Sequence, residues 1–255
     1  MSASRQSSIE PYAASIIIPT YNRHYLLKAC VEAIRAHTTP PYEIIVVDNG
    51  STDGTVQYCR EEHLSFVSLA HNRGFPAACN IGMTLGSGHI VILLNNDVIV
   101  SYRWLDNILE AFKQNEDVGI IGPTTNYASG KQLVHREYGD LEQFHRLTRQ
   151  WNELDPKKHQ RVQRVVGLCL AIRRSVIRDI GLLDERFSPG HFEDDDYCLR
   201  ARMSGYGIMI CGDVFVHHYG SASFKEHGEH ALTELIQRNY ARFIEKWSID
   251  PHHFI

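Results

Sequence analysis

HIVILLNNDV, residues 89–98, is the stretch on which the fold of this chain turns. An apolar run from His89 to Leu94 stops abruptly at Asn95, Asn96 and Asp97. A buried strand that delivers polar groups at its C-terminal end is how open α/β sheets usually present a binding site. Carboxylate and carbonyl oxygens in that position suit hard cations such as Mg²⁺ or Mn²⁺, with phosphate oxygens completing the shell. An Asn-Asp pair can also merely turn the chain. What gives it weight is a second strand, EIIVVD at residues 43–48, that ends the same way at Asp48.

Working outward, strands and helices alternate. Ser15–Ile18 is β-branched and stops at Pro19, and Leu26, Leu27, Cys30, Val31 and Ile34 recur at helical spacing, predicting a helix over 24–37. Strand 43–47, helix 55–62, a weak strand at 66–69, helix 76–85, the strand ending at Leu94, a helix around 104–112 and strand 118–121 follow. This alternation predicts an α/β fold with a largely parallel central sheet flanked by helices. From Pro123 to Arg164 the pattern breaks, with one helix hinted at by Leu141, Phe144 and Leu147, as expected of a functional loop or lid. Strand 165–173, helix 174–180, a helix over 196–204, two late strands at 208–211 and 214–218, and a helix over 230–247 complete the reading. The expected organisation is a disordered leader (1–13), a first half (14–122) and a second half (123–255) of one domain.

The composition narrows the partners. A net charge of −4 in 255 residues argues against bulk nucleic-acid binding. The longest apolar run is strand-sized, far short of a bilayer span, and the polar leader MSASRQSSIEPY lacks the apolar centre of a signal peptide. Six cysteines without a CxxC pair read as buried free thiols of a reducing compartment rather than disulfides or a zinc site. The expected location is cytoplasmic, with any membrane contact peripheral, at the inner face.

Four constellations carry chemistry. Pro19-Thr20-Tyr21-Asn22-Arg23 turns the chain away from the first strand, with Asn22 as an ordinary helix cap the plain alternative. Asp48 precedes a turn holding Gly50 and Gly54, where a carboxylate could accept from a ribose hydroxyl or a pyrimidine imide; the plain alternative is Asp53 as a cap and Asp48 closing the turn. Neither a GxGxxG after the first strand nor a Walker lysine motif is present, which argues against dinucleotides and P-loop chemistry. Glu193-Asp194-Asp195-Asp196 packs four acids side by side, so at least one pKa should rise toward useful base strength. Asp195 and Asp196 suit a helix's first turn, which leaves Glu193 and Asp194 over. His217 and His218 are adjacent, so on a strand only one of them can face a site. Trp104 reads as core; Tyr138, Trp151 and Phe192 suit either sugar stacking or lid packing.

The ordered set Ser15-Ile-Ile-Ile-Pro-Thr-Tyr-Asn-Arg, Val46-Val-Asp-Asn-Gly-Ser-Thr-Asp-Gly-Thr, Asn72-Arg-Gly-Phe with Asn80, Asn95-Asn-Asp, and later Gly167, Phe192-Glu-Asp-Asp-Asp-Tyr-Cys-Leu-Arg and His217 resembles the large inverting GT-A glycosyltransferases of the bacterial family 2 type. It is most similar to their rhamnosyltransferase-like members. The resemblance implies a GT-A fold and a metal-assisted, inverting single displacement from a nucleoside-diphosphate sugar (UDP or dTDP) to a hydroxyl of a glycan, glycolipid or other acceptor. It further implies that Pro19, Tyr21, Arg23 and Asp48 hold the base and ribose, with Asn72, Arg73 and Asn96 also at the donor. Asp97 would coordinate Mg²⁺ or Mn²⁺, with His217 as second ligand and His218 its understudy. Asp194 would be the catalytic base, with Glu193 beside it. The chain departs from the family's DXD pattern, Asn95 standing where the first Asp is usual, which removes a charge but leaves a hard oxygen. The competing readings are a metal-dependent nucleotidyltransferase, disfavoured by the lack of a basic glycine-rich phosphate loop, and an inactive sugar-nucleotide-binding module. All rest on Asp48, Asp97 and Asp194 converging on one rim of the fold.

Overall fold

The computed structural model describes residues 12–220 and 228–254; the expected leader lies almost wholly outside them. Nine strands form one sheet: β1 (Ala14–Thr20), β2 (Tyr42–Asp48), β3 (Ser65–Ser68), β4 (Ile90–Leu94), β5 (Val98–Ile99), β6 (Val118–Thr125), β7 (His159–Val162), β8 (Cys169–Arg173) and β9 (Gly207–His218). Their order is β3-β2-β1-β4-β8-β6-β9-β5, with β7 also on β9. Parallel pairing joins β3, β2, β1 and β4, and again β6 and β9; β8 runs antiparallel between these two groups. Most strands therefore point the same way and bring their C-terminal ends to one rim.

The central strands read as unbroken apolar runs because both sheet faces are covered. Side chains alternate across the sheet: Ile16, Ile18, Val46, Ile92 and Leu94 enter one core, whereas Ile17, Ile45, Val47, Val91 and Leu93 enter the other. The first core is covered by α1 (His24–His37), α2 (Thr55–Glu61), α4 (Trp104–Gln114) and α5 (Leu141–Trp151), whose Leu27, Ile34, Tyr58, Trp104, Leu105 and Phe144 belong to it. The second is covered by α3 (Phe75–Leu85), α6 (Arg174–Ile180) and α7 (Glu193–Met203) through Ala78, Met83, Val176, Tyr197 and Cys198. A last helix, α8 (Gly228–Trp247), rests Phe243 on Phe187 and Leu199.

Three expectations need correction. The acids do not precede their helix: α7 starts at Glu193, so all four lie in its first turn, where backbone N–H groups and the dipole favour negative charge. The two late strands are one, β9, in which Gly212-Asp213-Val214 slips out of register with β6 between the Pro123–Cys211 and Thr124–Phe215 pairs. The boundary at 122/123 falls inside β6, so both halves share the sheet. Short β5 and β7 were not foreseen; two and four residues leave no periodicity to read.

Candidate active site

The rim is assembled by side chains that tie neighbouring loops together. After β1, the backbone N–H of Asn22 donates to Ser51 Oγ (2.7 Å) while Asn22 Oδ1 accepts from Thr52 N (2.8 Å). Asn22 thus joins the β1 and β2 loops instead of capping α1, whose first N–H, on His24, is satisfied by Asp53 (2.9 Å). Asn49 similarly clamps the next loop, accepting from Arg73 N (2.8 Å) and donating to Gly74 O (3.0 Å). Asn72 Oδ1 caps Gly74 N in the same turn (2.8 Å), and Arg73 reaches Glu185 (3.4 Å). Asn22 and Arg23 (φ 55° and 57°), like His191 and Phe192 (φ 72° and 71°), are consecutive non-glycine residues in the left-handed region. Such strain persists only where surrounding structure imposes it and gathers at functional loops.

Asp48 is fully buried, its carboxylate accepting from Ser51 N (2.9 Å) and Ser68 Oγ (2.6 Å). Pro19 is buried within β1, paired with Val47, so the strand runs on to Thr20 rather than stopping at the proline, and Tyr21 is half-buried in the loop that follows. At the next strand end Asn96 donates to Thr20 Oγ1 (2.8 Å), and Asn95 N pairs with Leu168 O (2.9 Å). Gly167, one residue back, donates its N–H to Asp194 Oδ2 (2.8 Å). These links bring Asp194 beside the end of β4 and place Asp48, Asp97 and Asp194 along one rim.

The two histidines take different partners. His217 Nδ1 pairs with Tyr138 OH (2.6 Å), and its ring lies among Tyr138, Phe144 and Tyr219. His218, on the opposite side of β9, sets Nε2 3.2 Å from Asp97 Oδ1. Asn126 pins its backbone from both sides (2.8 and 3.1 Å), and its Nδ1 meets Tyr127 O (2.8 Å). A carbonyl on Nδ1 makes that nitrogen a donor and turns Nε2 toward Asp97, the orientation a metal-ligating imidazole would take once Nε2 gives up its proton. Nε2 has only the Asp97 carboxylate before it. A carboxylate and an imidazole nitrogen facing each other are donors fit for Mn²⁺ or Mg²⁺. Burial lowers the proton affinity of His218, but Asp97 more than offsets it and the net pKa shift is upward.

In α7 the four acids divide by partner. Asp195 is held by Arg164 through both oxygens (2.9 and 3.1 Å). Burial, reinforced by Asp194, nevertheless lifts its pKa to about 7. Asp196, fully buried, accepts from Arg200 Nε (2.9 Å) and Trp247 Nε1 (2.8 Å) and pairs with Lys246. Glu193 is driven well above the carboxylate range by burial and then by Asp194, and its Oε2 lacks a partner. Asp194, 9% exposed, accepts from Gly167 N and Asp195 N alone among the described bonds. Of the aromatics, Trp104 is core and donates to Thr38 (2.9 Å), Tyr138 packs on Trp151, and Phe192 packs on Tyr240 and Phe243.

One constellation had no signal in the sequence. His159, Cys211 and Asp213 set nitrogen, sulfur and oxygen atoms within 4.8 Å of one another and could hold a metal ion. Asp213 accepts from His159 Nε2 (3.0 Å), Cys211 Sγ (3.0 Å) and Asp155 N (2.8 Å), which satisfies the group without an ion. It lies five residues up β9 from His218, about 16 Å of strand. All six cysteines are buried and free, as expected.

Comparison with known proteins follows the same lines. Residues 15–181 match the family described as glycosyl transferase family 2. The chain is 28% identical over 213 residues to glycosyltransferase AglE of Haloferax volcanii, covering 80% of this chain and 66% of that one. It is 24% identical over 244 residues to an N-acetylglucosaminyl-diphospho-decaprenol L-rhamnosyltransferase of Mycobacterium tuberculosis, covering 84% and 79%. A longer relative, y4gI of Sinorhizobium fredii, is matched over only 24% of its length. The chain thus spans less than two thirds of some relatives. Among solved structures it superposes on the mannosyltransferase PcManGT of Pyrobaculum calidifontis, in complex with GDP-Man and Mn²⁺, with a TM-score of 0.65 at 20% identity, covering 93% of this chain and 65% of that one. No helix among the described residues is long and apolar enough to cross a membrane.

Proposed function

Because this chain belongs to glycosyl transferase family 2 and has the GT-A fold, we propose that it moves a sugar from a nucleoside-diphosphate donor to an acceptor hydroxyl by single displacement with inversion. The observation that carries this reading is the rim on which Asp97 and His218 face each other at 3.2 Å while Asp194 hangs on Gly167, beside the strand end that leads to Asp97. The donor enters over the loops tied by Asn22 and Asn49, which carry Tyr21, Arg23, Asn72 and Arg73, beside Pro19 near the end of β1. Asp48 acts from beneath, holding Ser51 and Ser68, and Asn96 holds Thr20.

Asp97 and His218 would hold Mn²⁺ or Mg²⁺, which when bound supplies Lewis-acid stabilisation to the departing diphosphate. Asp194 takes the proton from the acceptor hydroxyl as it attacks the anomeric carbon opposite the leaving group. Two N–H donors fix both oxygens of Asp194 while leaving lone pairs for the hydroxyl. Attack and departure on opposite faces follow the logic of inverting glycosidases. The nucleotide-bound states of PcManGT and of GalNAc-T7 with UDP and Mn²⁺ support a nucleotide-sugar donor with a divalent cation.

The test is release of nucleoside diphosphate from a panel of nucleotide sugars with Mn²⁺, Mg²⁺ or EDTA. Wild type should release product only with metal. Asp97→Asn and His218→Ala should weaken metal affinity by about 10–100-fold or more, whereas His217→Ala should leave it unchanged. Donor affinity without product release in wild type, with acceptors supplied, would favour a binding module instead.

A further inference from the structure

Beside α7 lies a cavity of about 400 Å³ whose wall departs from the charge of the whole chain. The protein carries 30 acidic and 26 basic residues, yet Lys131, Arg161, Arg164 and His253 line this cavity and no carboxylate does. Val162, Ile210 and Phe254 supply an apolar side. Lys131 has no ion-pair partner among the described residues. Arg161 is held from outside the wall by Asp117 (2.6 and 2.9 Å), and Arg164 by Asp195 (2.9 and 3.1 Å) and by Ser129. Each guanidinium is thereby oriented by a carboxylate behind it. Guanidinium groups carry five donors and match phosphate geometry, so both retain donors for a second anion.

The cavity is linked to the proposed catalytic centre through a single segment of chain. Arg164 lines it and grips Asp195; three residues on, Gly167 grips Asp194. A molecule in the cavity is therefore one short segment, residues 164–167, from the group assigned to deprotonate the acceptor. We propose that this cavity is an acceptor subsite for a phosphate or diphosphate group, so that the acceptor is a phosphorylated sugar, the cations taking the phosphate and the apolar side the ring. The inference rests on the glycosyltransferase reading for the word acceptor, while the anion site stands on the cavity itself.

Calorimetric titration with inorganic pyrophosphate in EDTA excludes binding through a divalent cation at Asp97. Wild type should bind, and more weakly as salt is raised, since exposed cations are screened. The double variant Lys131→Ala/Arg161→Ala removes two exposed side chains, so the fold should survive, and should bind about tenfold or more weakly, the equivalent of 1.4 kcal/mol. Asp97→Asn should bind as wild type does. No binding to wild type, equal binding to the double variant, or loss confined to Asp97→Asn would each overturn the cavity assignment. A hexose 1-phosphate should bind more tightly than inorganic phosphate; equal affinities would overturn the acceptor assignment. A parallel titration with nucleotide sugars and Mn²⁺ separates the two ideas. Failure there sinks the glycosyltransferase reading and leaves the pyrophosphate result standing, and the converse failure sinks the cavity alone.

Discussion

Glu193 and Asp194 are neighbours with opposite prospects. Burial, and then the adjacent Asp194 charge, push the Glu193 carboxyl upward from its ordinary range, which works against its serving as a charged base. Asp194 has both carboxylate oxygens fixed by N–H donors, Gly167 N on Oδ2 and Asp195 N on Oδ1, with lone pairs left over for an acceptor hydroxyl. Glu193→Gln keeps the side chain's size and removes its acid function, and should hold turnover within a few-fold of wild type. Asp194→Asn should lose about 10²–10⁴-fold in turnover, the usual worth of a positioned base, with donor affinity retained. Equal losses in the two variants, measured under saturating donor, would contradict this division. The acids by themselves left both residues open and only the resemblance singled out Asp194, because four consecutive acids carry no indication of which one a glycine N–H will hold.

At the scale of elements, helix α3 lies so close to β1 that Gly82 is required there. A Cβ on Gly82 would sit 2.1 Å from Ile17 Cγ2, so Gly82→Ala should destabilise by about 1–3 kcal/mol, the usual cost of overpacking, read from the urea midpoint. Gly167→Ala should be mild by comparison, its Cβ meeting Asp194 Cβ at an ordinary 3.5 Å. The first turn of α7 sets a pH dependence. Asp195 has its pKa raised from 3.8 to about 7, first by burial and then by Asp194. Between those values the folded chain binds more protons than the unfolded one, so this group's contribution to stability falls as pH rises through that window. Thermal midpoints from pH 4 to 8 should decline less steeply in Asp195→Asn than in wild type.

For the whole molecule, the C-terminal helix is latched to the catalytic one by charge. Lys246 of α8 pairs with Asp184 and with Asp196 at the start of α7, and Trp247 adds a bond to Asp196. Breaking a buried pair costs about 3–5 kcal/mol. Lys246→Ala should fall at the low end of that range, because Asp196 keeps Arg200 and Trp247. Burial alone would raise the Asp184 carboxyl, but Arg186 and Lys246 pull it far below its ordinary 3.8. That contribution is full above the ordinary value and lost as pH falls below it. Acid unfolding of Lys246→Ala should therefore be less steep than that of wild type.

What the sequence by itself determined was the repeating architecture and the ends of its strands. Strand patterns at 15–18, 43–47 and 89–94 and helical spacing at 24–37 are local, and each met its element within a residue or two. The polar residues that stop those runs are local as well, which is why Asp48 and Asp97 could be named. Only the tertiary structure decided which of His217 and His218 meets Asp97, since that depends on β9 pairing with the two-residue β5. It also decided that Asp48 is sealed beneath the rim and that Arg161, Arg164, Lys131 and His253 surround one cavity. Periodicity reports which face of an element is buried, whereas a site depends on which elements are neighbours. Neighbours 30 to 120 residues apart are set by sheet order, to which no single segment of the chain is sensitive.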